Sequence, residues 1–179
     1  MKVKAIVSLL VVIAAMISCK NDKTSPEVET VEVEKTKEPY ASAPLEAEFN
    51  DPKVADVYNA YNALKTALVN TDAASAQQKA SELLTAYSNM GVEDEVFKAA
   101  QAIAESEDVK VQRTSFSDVS AHIEGMLEGA LTSGAIYKQY CPMAFNNTGG
   151  YWLSNTKEIR NPYFGDIMLK CGRVDSTLK

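Results

Sequence analysis

Four sulfur atoms fall in two tight clusters, Cys141-x-Met143 and Met168-x-x-Cys171. Thiolate and thioether are soft donors, and they select Cu(I) and similar ions over Mg, Ca or Mn. Cys-x-Met places both sulfurs on one side of an extended strand. Met-x-x-Cys places them on one side of a turn or helix. If the clusters meet, they form a two- to four-coordinate sulfur site suited to Cu(I) or Ag(I), since zinc rarely takes Met. The same spacing supports a second reading. In an exported chain, Cys141 and Cys171 would pair as a disulfide. Closing that loop stabilises by about 3.5–4 kcal/mol on the chain-entropy argument. Met143 and Met168 would then fill gaps in a core. The two readings also combine, as a reducible cysteine pair flanked by methionine that gates copper binding.

Composition removes most other chemistry. The chain has 179 residues, 18 Lys+Arg, 24 Asp+Glu and one His, for a net charge of −6. That is room for about one domain. A net-acidic chain with no basic run is a poor partner for nucleic acid or anionic headgroups. Three cysteines are too few for a disulfide scaffold or a Cys₄ zinc site. A single His excludes a multi-histidine metal site and argues against Ser-His-Asp catalysis. That residue, His122, reads as a hydrogen-bonded edge or core residue, with a metal-ligand role as the lesser alternative. Glu93, Asp94 and Glu95 form the first turn of a helix rather than an acid–base pair. Nothing local activates Cys141 as a nucleophile. The expectation is a binding protein and not an enzyme.

The elements that must position the sulfurs begin at Asp51-Pro52, a capping acid followed by proline at the first helical position. Val54, Val57, Tyr61, Leu64 and Leu68 repeat at spacings of three and four, which predicts a helix to about Asn70. Asp72 caps a second helix with Ala76, Ala80, Leu83, Tyr87 and Met90 on one face, ended by Gly91. A third spans about Glu93 to Glu107, and a fourth about Val109 to Leu131. The fold class expected is mainly α, a four-helix up-and-down bundle with a C-terminal cap of irregular and short β structure. The cap starts after Gly134 and holds the only Trp and four of the eight glycines. Ile136 to Tyr140 and Tyr151 to Ser154 are β-prone. A short helical turn capped near Ser154 or Asn155 is expected through Ile159, with Glu158 placed for a capping box. Asn161-Pro162-Tyr163-Phe164-Gly165 reads as a turn.

The N-terminus sets the compartment. Residues 1–18 carry Lys2 and Lys4, then an apolar run too short to span a bilayer, which needs about 20 residues. This is the pattern of a secretory signal. Met16-Ile17-Ser18-Cys19 resembles a bacterial lipobox, in which Cys19 is lipidated and becomes the first mature residue. Removal of the signal leaves 16 basic and 24 acidic residues, a net charge of −8. Acyl chains on Cys19 would anchor the chain to a membrane. Lys20 stands where Asp favours the inner membrane by bacterial sorting rules, so the outer membrane is the expected location. Residues 19–50 combine eight acids, four lysines and three prolines with no sustained apolar face. They read as a disordered tether. The working domain is then 51–179.

Tyr140-Cys141-Pro142-Met143-Ala144, Trp152-Leu153-Ser154, Lys157-Glu158-Ile159-Arg160-Asn161-Pro162-Tyr163-Phe164-Gly165 and Met168-Leu169-Lys170-Cys171-Gly172 together resemble a bacterial family, domain of unknown function 3347. Arg113, Phe116 and Ser120 resemble its fourth-helix pattern, and the resemblance covers about residues 52–174. Members of that family occur as exported lipoproteins and at the C-terminus of periplasmic adaptor subunits of copper and silver efflux pumps. The resemblance implies soft-metal binding at Cys141, Met143, Met168 and Cys171, with an efflux adaptor as partner. It also implies loop-setting roles for Pro142 and Asn161-Pro162, and a packing or shielding role for Trp152 and Tyr163. Many members carry His just before Cys-Pro-Met, where this chain has Lys138 and Tyr140.

Overall fold

The computed structural model describes residues 38–92 and 95–179. The expected signal, the lipidation residue Cys19 and the tether up to residue 37 lie outside the described residues. So do Glu93 and Asp94.

Four long helices come first. α1 (Pro52–Val69) is started by Asp51, whose carboxylate accepts from the Lys53 amide at 2.8 Å, with Pro52 in its first turn. α2 (Ala73–Met90) is capped in the same way by Asp72 and ends at Gly91, which is left-handed at φ 84°. α3 (Glu95–Glu105) and α4 (Val109–Leu127) follow, and each helix packs on the next in sequence. The apolar stripes face a common core: Val57, Tyr61, Leu64, Leu68, Ala76, Ala80, Leu83, Tyr87, Ala100, Ile103, Phe116, Val119 and Ile123 are buried. α4 stops four residues before the expected Leu131. Glu128 turns extended and Gly129 takes φ 70°, which reverses the chain. Leu131 then enters a strand, β2 (Leu131–Ser133), antiparallel to β1 (Glu48–Phe49).

Packing also begins before residue 51. The Tyr40 amide donates to Asn70 Oδ1 at 2.8 Å, and Asn70 Nδ2 donates back to the Tyr40 carbonyl at 2.9 Å. Asn155 Nδ2 donates to the Ala43 carbonyl, and Ala47 is buried. The charge and proline content of residues 38–50 matches a tether, yet Asn70 at the end of α1 and Asn155 hold their backbone at Tyr40 and Ala43.

The C-terminal segment is more regular than its composition suggests. β3 (Ile136–Cys141) lies between β4 (Gly150–Ser154) and β5 (Arg173–Leu178), antiparallel to both. The helical turn expected over 154–159 is absent: Ser154 Oγ is shared between the Thr156 amide and Lys65, and the other capping groups are used elsewhere. Ser154 Oγ takes the Lys65 ammonium, Asn155 reaches Ala43, and Glu158 pairs with Arg160. Gln139 Nε2 donates to the carbonyls of Thr156 and Glu158, which holds the segment as a bend. Among the described residues no helix is long and apolar enough to cross a membrane.

Three buried polar links fasten the C-terminal segment to the helices, two of them to the sheet. Tyr61 on α1 shares a hydrogen bond with Ser120 on α4 and accepts from the Leu153 amide of β4 at 2.9 Å. Arg113 on α4 donates to the carbonyls of Pro162 and Leu68 and to Thr71 Oγ1. Lys65, 1% exposed, donates to the Leu153 carbonyl and Ser154 Oγ.

Candidate sulfur site

Cys141 ends β3 and Cys171 lies just before β5, so the pairing of these strands draws the two cysteines together. Their Sγ atoms are 2.8 Å apart, and both are free thiols. Cys141 is fully buried, and Cys171 is partly exposed. The hydrogen bond with Cys141, aided by burial, pushes the Cys171 thiol up to about 11. Cys171 therefore keeps its proton at neutral pH, and an ion that takes its sulfur must displace that proton.

The spacing of the sulfurs bears on what they can do. A disulfide needs about 2.05 Å, so closing one requires only a small movement. Two thiolates at about 2.3 Å from one metal stand roughly 3.8 Å apart in tetrahedral geometry. The pair would have to open by about 1 Å to hold an ion on that scale.

Asn161 positions Cys171. It is fully buried and sits where the chain turns under the sheet. Its Nδ2 donates to the Cys171 carbonyl at 2.7 Å, and its Oδ1 accepts from the amides of Tyr163 and Phe164. Its own amide donates to the Leu169 carbonyl. One side chain thus clamps both ends of the 161–171 loop. Gly172 follows at φ 146°, with the Trp152 ring close to where a Cβ would stand.

The methionines lie elsewhere. β3 ends at Cys141, so Cys141 and Met143 do not share a strand face as the alternation predicted. Cys141 points into the core, and Met143 is 46% exposed. Met168 is bound to Cys171 as the expected turn, with the Cys171 amide donating to the Met168 carbonyl at 3.0 Å. Met143 and Met168 both line one groove of about 640 Å³, with Lys110, Arg113, Phe145, Phe164 and Ile167. Neither cysteine lines it. The two thiols thus meet within the fold, while Met143 and Met168 share the wall of a groove that neither cysteine lines.

His122 contributes nothing to either pair. It lies over the edge of Tyr87 with ring centroids 5.6 Å apart, in a groove between α3 and α4 lined also by Glu95 and Asp118. Among the described residues no three His, Cys, Asp or Glu side chains gather as a metal site. The sequence reading missed Asn161's carbonyl clamp on Cys171 and the surface groove. A loop-setting role for Asn161-Pro162 was the signal that pointed nearest to the first. Nothing in the sequence pointed to the second, because the exposure of Ile167 is set by the fold.

The family described as Protein of unknown function (DUF3347) matches residues 57–134. The match runs from α1 through β2, includes Arg113, Phe116 and Ser120, and ends before the sulfur residues. No curated protein and no solved structure matches the chain.

Proposed function

From the premise that residues 57–134 belong to the DUF3347 family, we propose that this chain is an envelope lipoprotein that binds Cu(I) or Ag(I). Cys19 carries the lipid, and residues 20–37 act as the spacer from the membrane, most simply the outer membrane. α1 to α4 form an up-and-down bundle whose task is to support the sulfur-bearing sheet. The protein works as a buffer, or as a chaperone that passes the ion to an efflux adaptor. Its mechanism is ligand exchange without turnover. Tethering raises its local concentration beside a membrane partner.

The observation that supports this reading most directly is the convergence of two free thiols from opposite ends of the C-terminal segment. Soft thiolate donors with methionines two and three residues away suit a monovalent soft ion better than zinc or a hard cation. A competing reading rests on the 2.8 Å approach and the burial of Cys141. Under it, Cys141 and Cys171 form a structural disulfide, and the domain serves only as an interaction module.

One experiment separates the two. The chain bearing Cys19→Ser, which leaves only Cys141 and Cys171 as thiols, is reduced under oxygen-free conditions and titrated with Cu(I) against a competing chelator. The metal reading expects one ion per chain, lost in Cys141→Ser. Binding no stronger than in that variant, with rapid loss of both thiols in air, supports the disulfide reading instead.

A further inference from the structure

Resting on the soft-metal reading, we infer that the surface groove is the loading site for the cysteine pair. Met143 and Met168 take Cu(I) or Ag(I) from an anionic carrier complex before Cys141 and Cys171 receive it.

The groove has features that gap-filling methionines would not require. Met143 is 46% exposed and Ile167 is 81% exposed, and both belong to its wall. Phe145, Asn146 and Asn147, also in the wall, are all left-handed, at φ 50°, 58° and 67°. An aromatic residue rarely adopts that conformation, and retained strain of this kind gathers at working sites. The turn keeps Met143 at the surface directly after β3 has buried Cys141.

Charge selects the carrier. The chain is net acidic at −6, yet this groove is lined by Lys110 and Arg113 and by no carboxylate. Asp166 acts on Arg113 electrostatically but is not part of the wall. Lys110, exposed at the wall, opposes a bare metal cation and attracts an anionic complex of one, and Arg113, buried and partly offset by Asp166, adds less. The apolar surfaces of Phe145, Phe164 and Ile167 suit the organic ligands of such a complex. The thiols are near by chain connectivity: Met143 is two residues from Cys141, and Met168 is three from Cys171. Each step therefore spans no more than about 7–11 Å of backbone.

The exchange involves no redox change, and the ion stays monovalent. Each neutral thioether forms a metal–sulfur bond as one carrier ligand leaves to solvent, with no proton moved. Each thiol then forms a metal–thiolate bond, releases one proton to water and frees a thioether.

The test is stopped-flow transfer of Cu(I) from its anionic bicinchoninate complex to the reduced chain bearing Cys19→Ser, without oxygen. The loss of the complex's colour gives the rate, and the final partition gives the affinity. Met143→Leu and Met168→Leu should each slow loading about tenfold while leaving the partition within about twofold. Lys110→Glu should slow it severalfold and flatten its dependence on salt. All three side chains lie at the groove surface, and circular dichroism verifies that the fold is kept. Loading at the wild-type rate in the methionine variants overturns the inference. So does a partition that falls in step with the rate, which would make the methionines permanent ligands while the metal reading stands. If the wild type takes no Cu(I), or Cys141→Ser partitions like the wild type, the soft-metal reading itself fails and the inference goes with it.

Discussion

The helices at residues 52–127 and the sheet-and-loop segment at 131–178 are held by different forces. In the helices most buried side chains are apolar and recur at helical spacing, with Lys65, Gln112, Arg113 and Ser120 as the buried polar ones, so burial of area does most of the stabilising. In the later segment the fastening groups are polar and buried: Gln139, Ser154 and Asn161 from the segment, and Tyr61, Lys65, Arg113 and Ser120 reaching up from the helices. Apolar contacts tolerate exchange for residues of similar volume, whereas removing one member of a buried polar pair leaves its partner unsatisfied; Lys65 is the exception, a buried cation with only neutral partners, where an apolar residue relieves a cost. The sulfur pair is built on the part with less tolerance.

The largest effect that tests this contrast is Trp152→Ala. Trp152 is fully buried against Tyr163, and its Nε1 donates to Gln139 Oε1 at 2.7 Å. Truncation should cost about 4 kcal/mol and leave a buried amide oxygen without its donor. Leu83→Ala in α2 should cost about 3 kcal/mol, through a cavity alone. The distinguishing measurement is thiol reactivity under native conditions. Trp152→Ala should speed labelling of Cys141 and Cys171, and Leu83→Ala should leave it unchanged. Equal labelling in the two variants would mean that the regions open as one and the contrast is unfounded.

Lys65 sharpens the contrast through pH. Burial lowers its ammonium from 10.5 to about 7, and its two hydrogen-bond partners, the Leu153 carbonyl and Ser154 Oγ, are neutral. Between those values the unfolded chain holds a proton that the folded chain has released. Stability therefore rises as pH increases from about 7 towards 10.5, and is lost on the way back down. Below about 7 the folded protein carries the charge too, and the penalty is complete. Lys65→Met should remove this slope and raise stability at pH 7 by about 1–4 kcal/mol. Denaturant melts at pH 7 and pH 9.5 check it. A slope that survives in Lys65→Met would assign the dependence to another group.

Legibility in the sequence follows the same division. Asp51-Pro52, Asp72 and Gly91 act within a turn of where they stand, so the limits of α1 and α2 could be read directly. Both sulfur readings, the metal site and the disulfide, need Cys141 and Cys171 to meet, and they do. β5 was not legible, because Arg173–Leu178 is mostly exposed and its partner Ile136–Cys141 lies far away in the chain. Nothing in the local sequence marks Lys65 as buried, and its bonds to Leu153 and Ser154 come from a strand far along the chain. The separation of Met143 from Cys141 depends on where β3 stops, and strand ends depend on pairing rather than on residue type.

The smallest effects come from two glycines, and their opposite signs are the finest test of the contrast. Gly165 lies in the cap at φ 55°, and a Cβ there would run into Thr71 Oγ1 and the Arg113 guanidinium. Gly165→Ala should therefore cost about 2 kcal/mol, from strain together with damage to the Arg113 link. Gly125 lies in α4 with nothing within 4 Å of its Cβ position. Gly125→Ala should stabilise by about 0.5 kcal/mol, since alanine restricts the unfolded chain and suits a helix better. Thermal melts of both variants decide the matter, with the double variant expected to be additive. A destabilising Gly125→Ala would mean that a neighbour covers that face of α4, and that the helices are not held by their shared core alone.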